Sequence, residues 1–196
     1  EDQAFLSSST RTIINQVEVL RDMVNAFGEF AKDPQLKFER FDFNQLLMES
    51  VDLFEEEKNV KYFTILLDEG ITFVEGDVKR VRQILNNVFK NAIDATKDCS
   101  NPKITVTSKL LTDERKGYFE LKITDNGHGF DPTFLQDAFQ PYVTTKPKGT
   151  GLGLAIVKKL VQEHFGFVTA ENNPDQGACL TILLPTKQKK GIKNKT

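Results

Sequence analysis

The stretch Asp77-Val-Lys-Arg-Val-Arg-Gln-Ile-Leu-Asn-Asn-Val-Phe-Lys-Asn-Ala-Ile-Asp-Ala95 decides how this chain folds. Val81, Ile84, Leu85, Val88, Ala92 and Ala95 recur at helical spacing, which predicts a helix with one apolar face turned into a core. Asp77 stands where an N-cap belongs. Asn87 and Asn91 lie four residues apart, so their side chains stack beside that apolar face. Asn is a poor helix former, and a buried amide needs partners. On the helix alone two readings stand: amides turned to solvent, or amides placed to hold something polar.

Around that helix the composition is that of a soluble globular domain, with 39% hydrophobic and 28% charged residues. A net charge of -2 argues against a nucleic-acid binder working by bulk charge. No run approaches the roughly 18 apolar residues of a membrane span, and no signal peptide is visible. Cys99 and Cys179 lack metal-ligand spacing and read as reduced cytosolic thiols, and His128 and His164 are too few for a His-rich metal site. The chain opens Glu1-Asp2-Gln3 without Met, so a fragment of a longer protein is expected.

Upstream, Ile13, Val17, Leu20, Val24, Phe27 and Ala31 follow a heptad seam, widened by Met23 and Phe30. They predict a long helix over 1–33 that needs a helical partner and stops at Pro34. After a connector over 34–41, with a strand expected at Leu36 to Arg40, a second amphipathic helix runs through Phe43, Leu46, Leu47, Val51 and Phe54. Asp42 and Gln45 form its capping pair. Tyr62 to Leu67 and Ile71 to Val74 are β-prone runs around a turn at Asp68-Glu69-Gly70.

Downstream, Lys103 to Leu111 and Tyr118 to Thr124 read as strands of one hairpin, the second alternating dry and wet residues. A short helix is expected over Phe134 to Ala138 and a mobile loop over Phe139 to Thr150. A third helix follows from about Gly151 to Phe165 with Leu154, Val157, Leu160 and Val161 inward, then strands Phe167 to Glu171 and Ala178 to Leu184. A basic disordered tail occupies 187–196. This mixture of helices and mostly antiparallel strands predicts an α+β two-layer sandwich over 42–186.

Two stretches carry chemistry. Asp125-Asn-Gly-His-Gly129 follows a half-buried strand. An Asp there can accept from an exocyclic amine while Gly127 and Gly129 let backbone approach a flat ring, although Asp-Asn-Gly also serves as a plain turn. Gly149-Thr150-Gly151-Leu152-Gly153-Leu154 opens a helix, where unpaired N–H groups suit phosphate. It is neither a Walker A loop nor a dinucleotide fingerprint, and no kinase-type catalytic motif follows.

Taken together, Asn87-Val-Phe-Lys-Asn91-Ala, Asp125-Asn-Gly-His-Gly129, Phe139-Gln-Pro-Tyr-Val-Thr-Thr-Lys146 and Gly149-Thr-Gly-Leu-Gly-Leu154 resemble the N, G1, F and G2 boxes of sensor histidine kinases, in order. The resemblance implies a Bergerat-type ATP-binding sandwich, a mixed, mostly antiparallel sheet covered by helices and preceded by a long N-terminal helix. Thr10-Arg-Thr-Ile-Ile-Asn-Gln-Val17 and Asp22-Met-Val-Asn-Ala-Phe27 resemble the second helix of a dimerisation and phosphotransfer hairpin, most of all in kinases of the NtrY type. The resemblance implies ATP and Mg²⁺ as cofactors. Asn87 and Asn91 would hold the metal, Lys90 and Lys146 would reach phosphate, and Asp125 would read adenine beside Gly127 and Gly129. Gly149, Thr150, Gly151, Leu152, Gly153 and Leu154 would line the triphosphate under a lid over 139–150. Asn87 and Lys146 would be the catalytic pair, acting by positioning and charge neutralisation.

Two departures from the family pattern stand out. Ala178 stands where many relatives carry a Thr that helps bind adenine, and no acceptor histidine context surrounds His128 or His164. The implied partners are therefore ATP, a phospho-acceptor histidine helix elsewhere in a homodimeric parent kinase, and a response regulator. The expected location is cytoplasmic, and an inner-membrane anchor on the parent is compatible with this. The alternative is an ATP hydrolase of the same superfold, and position 87 separates the two. Hydrolytic relatives carry Glu there as a general base, whereas Asn87 cannot take a proton.

Overall fold

The alternating residues around Tyr118 build the centre of the molecule. The computed structural model describes residues 35–187, apart from 59–61, 71–72, 113, 116 and 147–148, together with ten positions between 10 and 28. Strand β4 (Ile104–Leu110) and strand β5 (Tyr118–Asp125) pair antiparallel with Leu110 opposite Phe119, as the hairpin pattern predicts. In β5, Phe119, Leu121, Ile123 and then Asp125 are buried at every second position. The carboxylate thus takes the next inward place after three apolar residues, at the end of the dry face.

Strand β7 (Ala178–Pro185) pairs antiparallel with β5, and β6 (Phe167–Asn172) with β7. Strand β2 (Phe63–Leu66) runs parallel to β4, giving the order β2-β4-β5-β7-β6. The two β-prone runs on either side of Asp68-Glu69-Gly70 separate. The second contributes to β3 (Val74–Gly76), which pairs with β1 (Glu39–Phe41) in a small sheet of its own. Asp68 anchors the turn by accepting from the Gly70 amide at 2.8 Å and the Leu110 amide at 2.9 Å.

Three helices lie on the dry face. Helix α1 (Phe43–Lys58) starts where Asp42 accepts from the Gln45 amide at 2.9 Å. Helix α2 (Val78–Thr96) is capped by Asp77, which accepts from the Arg80 amide at 3.2 Å. Val81, Ile84, Leu85, Val88, Phe89 and Ala92 bury its apolar face, each large side chain contributing about 1.5–3 kcal/mol. Helix α3 (Gly153–Glu163) buries Ala155, Ile156, Val157, Leu160 and Val161. Leu154, expected inward, is only partly buried. The expected helix at Phe134 to Ala138 is a single 3₁₀ turn, Leu135–Asp137.

The described positions between 10 and 28 are helical, and Ile13, Val17, Leu20 and Val24 of the seam stand exposed. Phe27, Ala31, Met23, Phe30 and Pro34 lie outside the described residues, as does the tail from 188 onward. Among the described residues no helix is long and apolar enough to cross a membrane.

His164, which the sequence placed near a helix end, is buried and structural. Its Nε2 accepts from the Asp77 amide at 3.0 Å, so Nδ1 carries the proton and donates to the Leu160 carbonyl at 2.7 Å. Burial pushes its pKa below the ordinary value, against the opposing pull of the Leu160 carbonyl and Asp77.

Candidate functional site

Between α2, the end of β5, the loop after it and the glycine-rich entry to α3 lies a cleft of 1110 Å³. Its lining brings together Asn87, Lys90, Asn91, Asp125, Gly129, Lys146, Gly149, Thr150, Gly151, Gly153 and Leu154, residues from four separate stretches of sequence.

One wall is the polar stripe of α2. Asn87 donates through Nδ2 to the Gln83 carbonyl at 2.9 Å, which fixes the amide and turns Oδ1 outward. A Cβ on Gly153 would stand 3.6 Å from that Oδ1 and 3.7 Å from Nδ2 of Asn91. The start of α3 therefore rests on both amides, and they do not face open solvent. Lys90, one step round the helix, is exposed at the rim. The N-cap residue of α3 is Leu152, with no side-chain cap, so the first amides of this helix are left for something else.

At the far end sits Asp125, 8% exposed. Oδ1 accepts from the Gly127 amide at 2.9 Å and the Ala178 amide at 3.3 Å. Among the described residues Oδ2 has no partner. Burial raises the Asp125 pKa above the ordinary carboxylate value despite those two amides and the positive fields of His128 and Lys146. An acceptor with one oxygen fixed and one open suits a ligand N–H that supplies the missing donor.

The glycines divide by role. Gly129 has φ +72° and packs against Asn172 at the cleft. Gly127 does not line the cleft: a Cβ there would lie 2.4 Å from the Ala95 carbonyl oxygen, so this glycine lets the loop close on α2. Leu152 is likewise outside the lining, with its side chain 1% exposed in the core and its amide given to Thr150 Oγ1 at 3.3 Å. Gly151, at φ +66°, accepts from the Tyr142 amide at 3.0 Å and closes the base of the loop over 142–151.

Several contributors escaped the sequence reading. Asn172 holds the loop after β5 with two bonds, accepting from the Phe130 amide at 2.7 Å and donating to its carbonyl at 2.8 Å. Asn173 Nδ2 donates to the Asp125 carbonyl at 3.2 Å and to that of Ala178 at 3.3 Å. No local pattern marks either. Asp94 also lines the cleft, where it pairs with Lys146, and its spacing from Asn87 and Asn91 on one helix face could have been read.

Residues 76–188 match the family described as histidine kinase-, DNA gyrase B-, and HSP90-like ATPase. The chain belongs to this family. It is 30% identical over 187 residues to a sensor histidine kinase NtrY-like protein of Rickettsia conorii, covering 91% of this chain and 29% of the relative. It is also 30% identical over 172 residues to sensor histidine kinase ZraS of Klebsiella oxytoca, covering 87% of this chain and 36% of the relative. The chain thus spans about a third of these relatives' length, and the two subfamilies match it equally. The catalytic domain of histidine kinase ThkA superposes with a TM-score of 0.67 at 32% identity, covering 77% of this chain and 97% of that one. ThkA in complex with response regulator protein TrrA gives a TM-score of 0.75 at 29% identity, covering 92% of this chain and 51% of that one. The fold is accordingly the α+β Bergerat-type sandwich, and the chain carries a catalytic domain of the histidine-kinase kind.

Proposed function

We propose that the cleft binds Mg-ATP and presents the γ-phosphoryl group to a histidine carried on another segment of the parent kinase. The residues fit both groups. Asp125 Oδ2 would accept from the adenine amine, and Gly129, at φ +72° against Asn172, would let the loop turn at the cleft beside the ring. The uncapped start of α3, with Gly149, Thr150, Gly151, Gly153 and Leu154, would receive the triphosphate, and Lys90 and Lys146 would supply positive charge. The Asn87 and Asn91 oxygens would hold Mg²⁺, which when bound neutralises phosphate charge and normally keeps several waters.

The observation that carries the choice of phosphotransfer over hydrolysis is Asn87. Its amide is locked onto the Gln83 carbonyl, and at this position there is no group able to take a proton from water. A histidine nucleophile brings its own lone pair. The exposed seam of Ile13, Val17, Leu20 and Val24 supports a helical partner, read here as a second copy of the parent. A response regulator as downstream partner, a cytoplasmic site of action and a division into helix 1–33, connector 34–41, catalytic domain 42–186 and tail 187–196 complete the reading.

The test is incubation with γ-labelled Mg-ATP. Binding without acid-labile label on this chain, and label on an acceptor-histidine helix supplied in trans, is expected. Multiple-turnover phosphate release by this chain alone would favour the hydrolase reading and overturn ours.

A further inference from the structure

The lysine assigned to the terminal phosphate is engaged with α2. Lys146 Nζ lies 2.9 Å from Asp94 Oδ2 and 3.5 Å from Asn91 Oδ1. Asp94 sits on α2 at i+7 from Asn87 and i+3 from Asn91, on the stripe that lines the cleft. The ammonium therefore stands at the amide oxygen that would hold the metal. Like charge would disfavour lysine and metal sharing Asn91 Oδ1.

We propose that Asp94 is a positioning residue that parks Lys146 at the metal-binding edge of the cleft until a metal-bound nucleoside triphosphate displaces it. The inference rests on the nucleotide reading above. It adds a competition: the terminal phosphate and Asp94 would contend for one ammonium, beside the amide oxygens that would hold the divalent cation. The loop is built for such an exchange. Its base is closed by the Tyr142 amide on the Gly151 carbonyl at 3.0 Å, while Tyr142 and Gly151 both hold positive φ, at 67° and 66°. A Cβ on Gly151 would lie 2.5 Å from the Tyr142 carbonyl carbon, so the close approach of the two backbones at the base requires glycine there. Towards the tip, the Lys146 amide donates to Thr144 Oγ1 at 3.1 Å, and the side-chain contacts of Lys146 given above join it to the helix. The Lys146 and Asp94 side chains are 36% and 44% exposed, which makes the pair weak enough to open on ligand binding.

The experiment uses the whole chain as wild type, Asp94→Asn, Lys146→Met and the double variant. Amide hydrogen exchange is read first, without nucleotide. Exchange over residues 143–146 should rise about two- to five-fold in each single variant, the range an exposed ion pair supports, and no further in the double variant. Unchanged exchange in Asp94→Asn overturns the proposal. Mg-ATP titration is read second. Asp94→Asn should tighten binding more when Lys146 is present than in the Lys146→Met background, because only there is a parked lysine released. An equal gain in both backgrounds is plain charge repulsion and overturns the competition. If wild type binds no Mg-ATP while exchange responds as described, the nucleotide reading fails and the parking contact stands.

Discussion

Replacing Asp125 by Asn should separate ligand recognition from folding. In the nucleotide-free chain the variant loses little. Oδ1 still accepts from the Gly127 and Ala178 amides, and the charge removed is one that burial disfavours. The sign follows from linkage. A carboxyl with a folded pKa above its unfolded value binds more protons folded, so its ionised form costs stability at neutral pH. The melting temperature of Asp125→Asn should therefore equal or exceed that of wild type. Binding behaves oppositely. A hydrogen bond to a charged acceptor is worth about 1.5–3 kcal/mol, and an amide Nδ2 facing the adenine amine adds about 1–3 kcal/mol of unpaired donor. A total of roughly 2.5–6 kcal/mol predicts about 60- to 20,000-fold weaker ATP binding by titration calorimetry. In wild type, affinity should also fall on acidification through the raised Asp125 pKa, where the acceptor is protonated, and the variant should lack that step. ATP affinity within three-fold of wild type, or a fall in melting temperature matching the loss of binding, would refute the reasoning.

Two further outcomes probe the frame around the site. Gly177→Ala places a Cβ 1.9 Å from the Asp125 carbonyl oxygen at φ +90°, so backbone strain and overpacking together should cost roughly 2–6 kcal/mol; an unshifted urea midpoint would contradict the packing. His164 has a folded pKa below its ordinary value of 6.5, so the unfolded chain takes up a proton first as pH drops. Stability is complete above about pH 6.5 and is lost towards the folded pKa. The melting temperature of wild type should fall between pH 7.5 and 5.5, and that slope should flatten in His164→Asn.

What the sequence made legible was whatever repeats locally. The burial of α2, the wet and dry faces of β5 and the uncapped glycine-rich start of α3 all follow from spacing within a few residues. Even the place of Asp125 is periodic, being the next inward position after Ile123. The rest depends on contacts that no period encodes. Gly127 looked like room for a ring because it follows a carboxylate, yet it makes room for the Ala95 carbonyl, on a helix some thirty residues earlier in the chain. Asn172 and Asn173 hold the Asp125 loop from a strand end where Asn is an ordinary residue. The pairing of Lys146 with Asp94 joins a loop to a helix and needs the fold before it can be seen.

The same limit applies to His164, whose place near the end of α3 does not by itself reveal that it helps set the geometry of the cleft. It joins the Asp77 amide, at the start of α2, to the last turn of α3. Asn87 lies ten residues beyond Asp77, and Gly153 lies eleven before His164. At 1.5 Å per residue these are about 15 and 16 Å along their helices. Two helices running in opposite senses and tied at one end by His164 thus meet in register at the other, where Gly153 rests on Asn87 and Asn91. A Cβ at Gly153 would meet both amides at ordinary van der Waals distance, so the missing side chain leaves the space before the two amide oxygens open. The neutral imidazole suits the tie because it needs both an acceptor, for the Asp77 amide, and a donor, for the Leu160 carbonyl. Protonation would convert the acceptor into a second donor facing an N–H. The edge of the cleft that carries Asn87 and Asn91 is therefore positioned partly by a buried histidine at the opposite end of the two helices that form it.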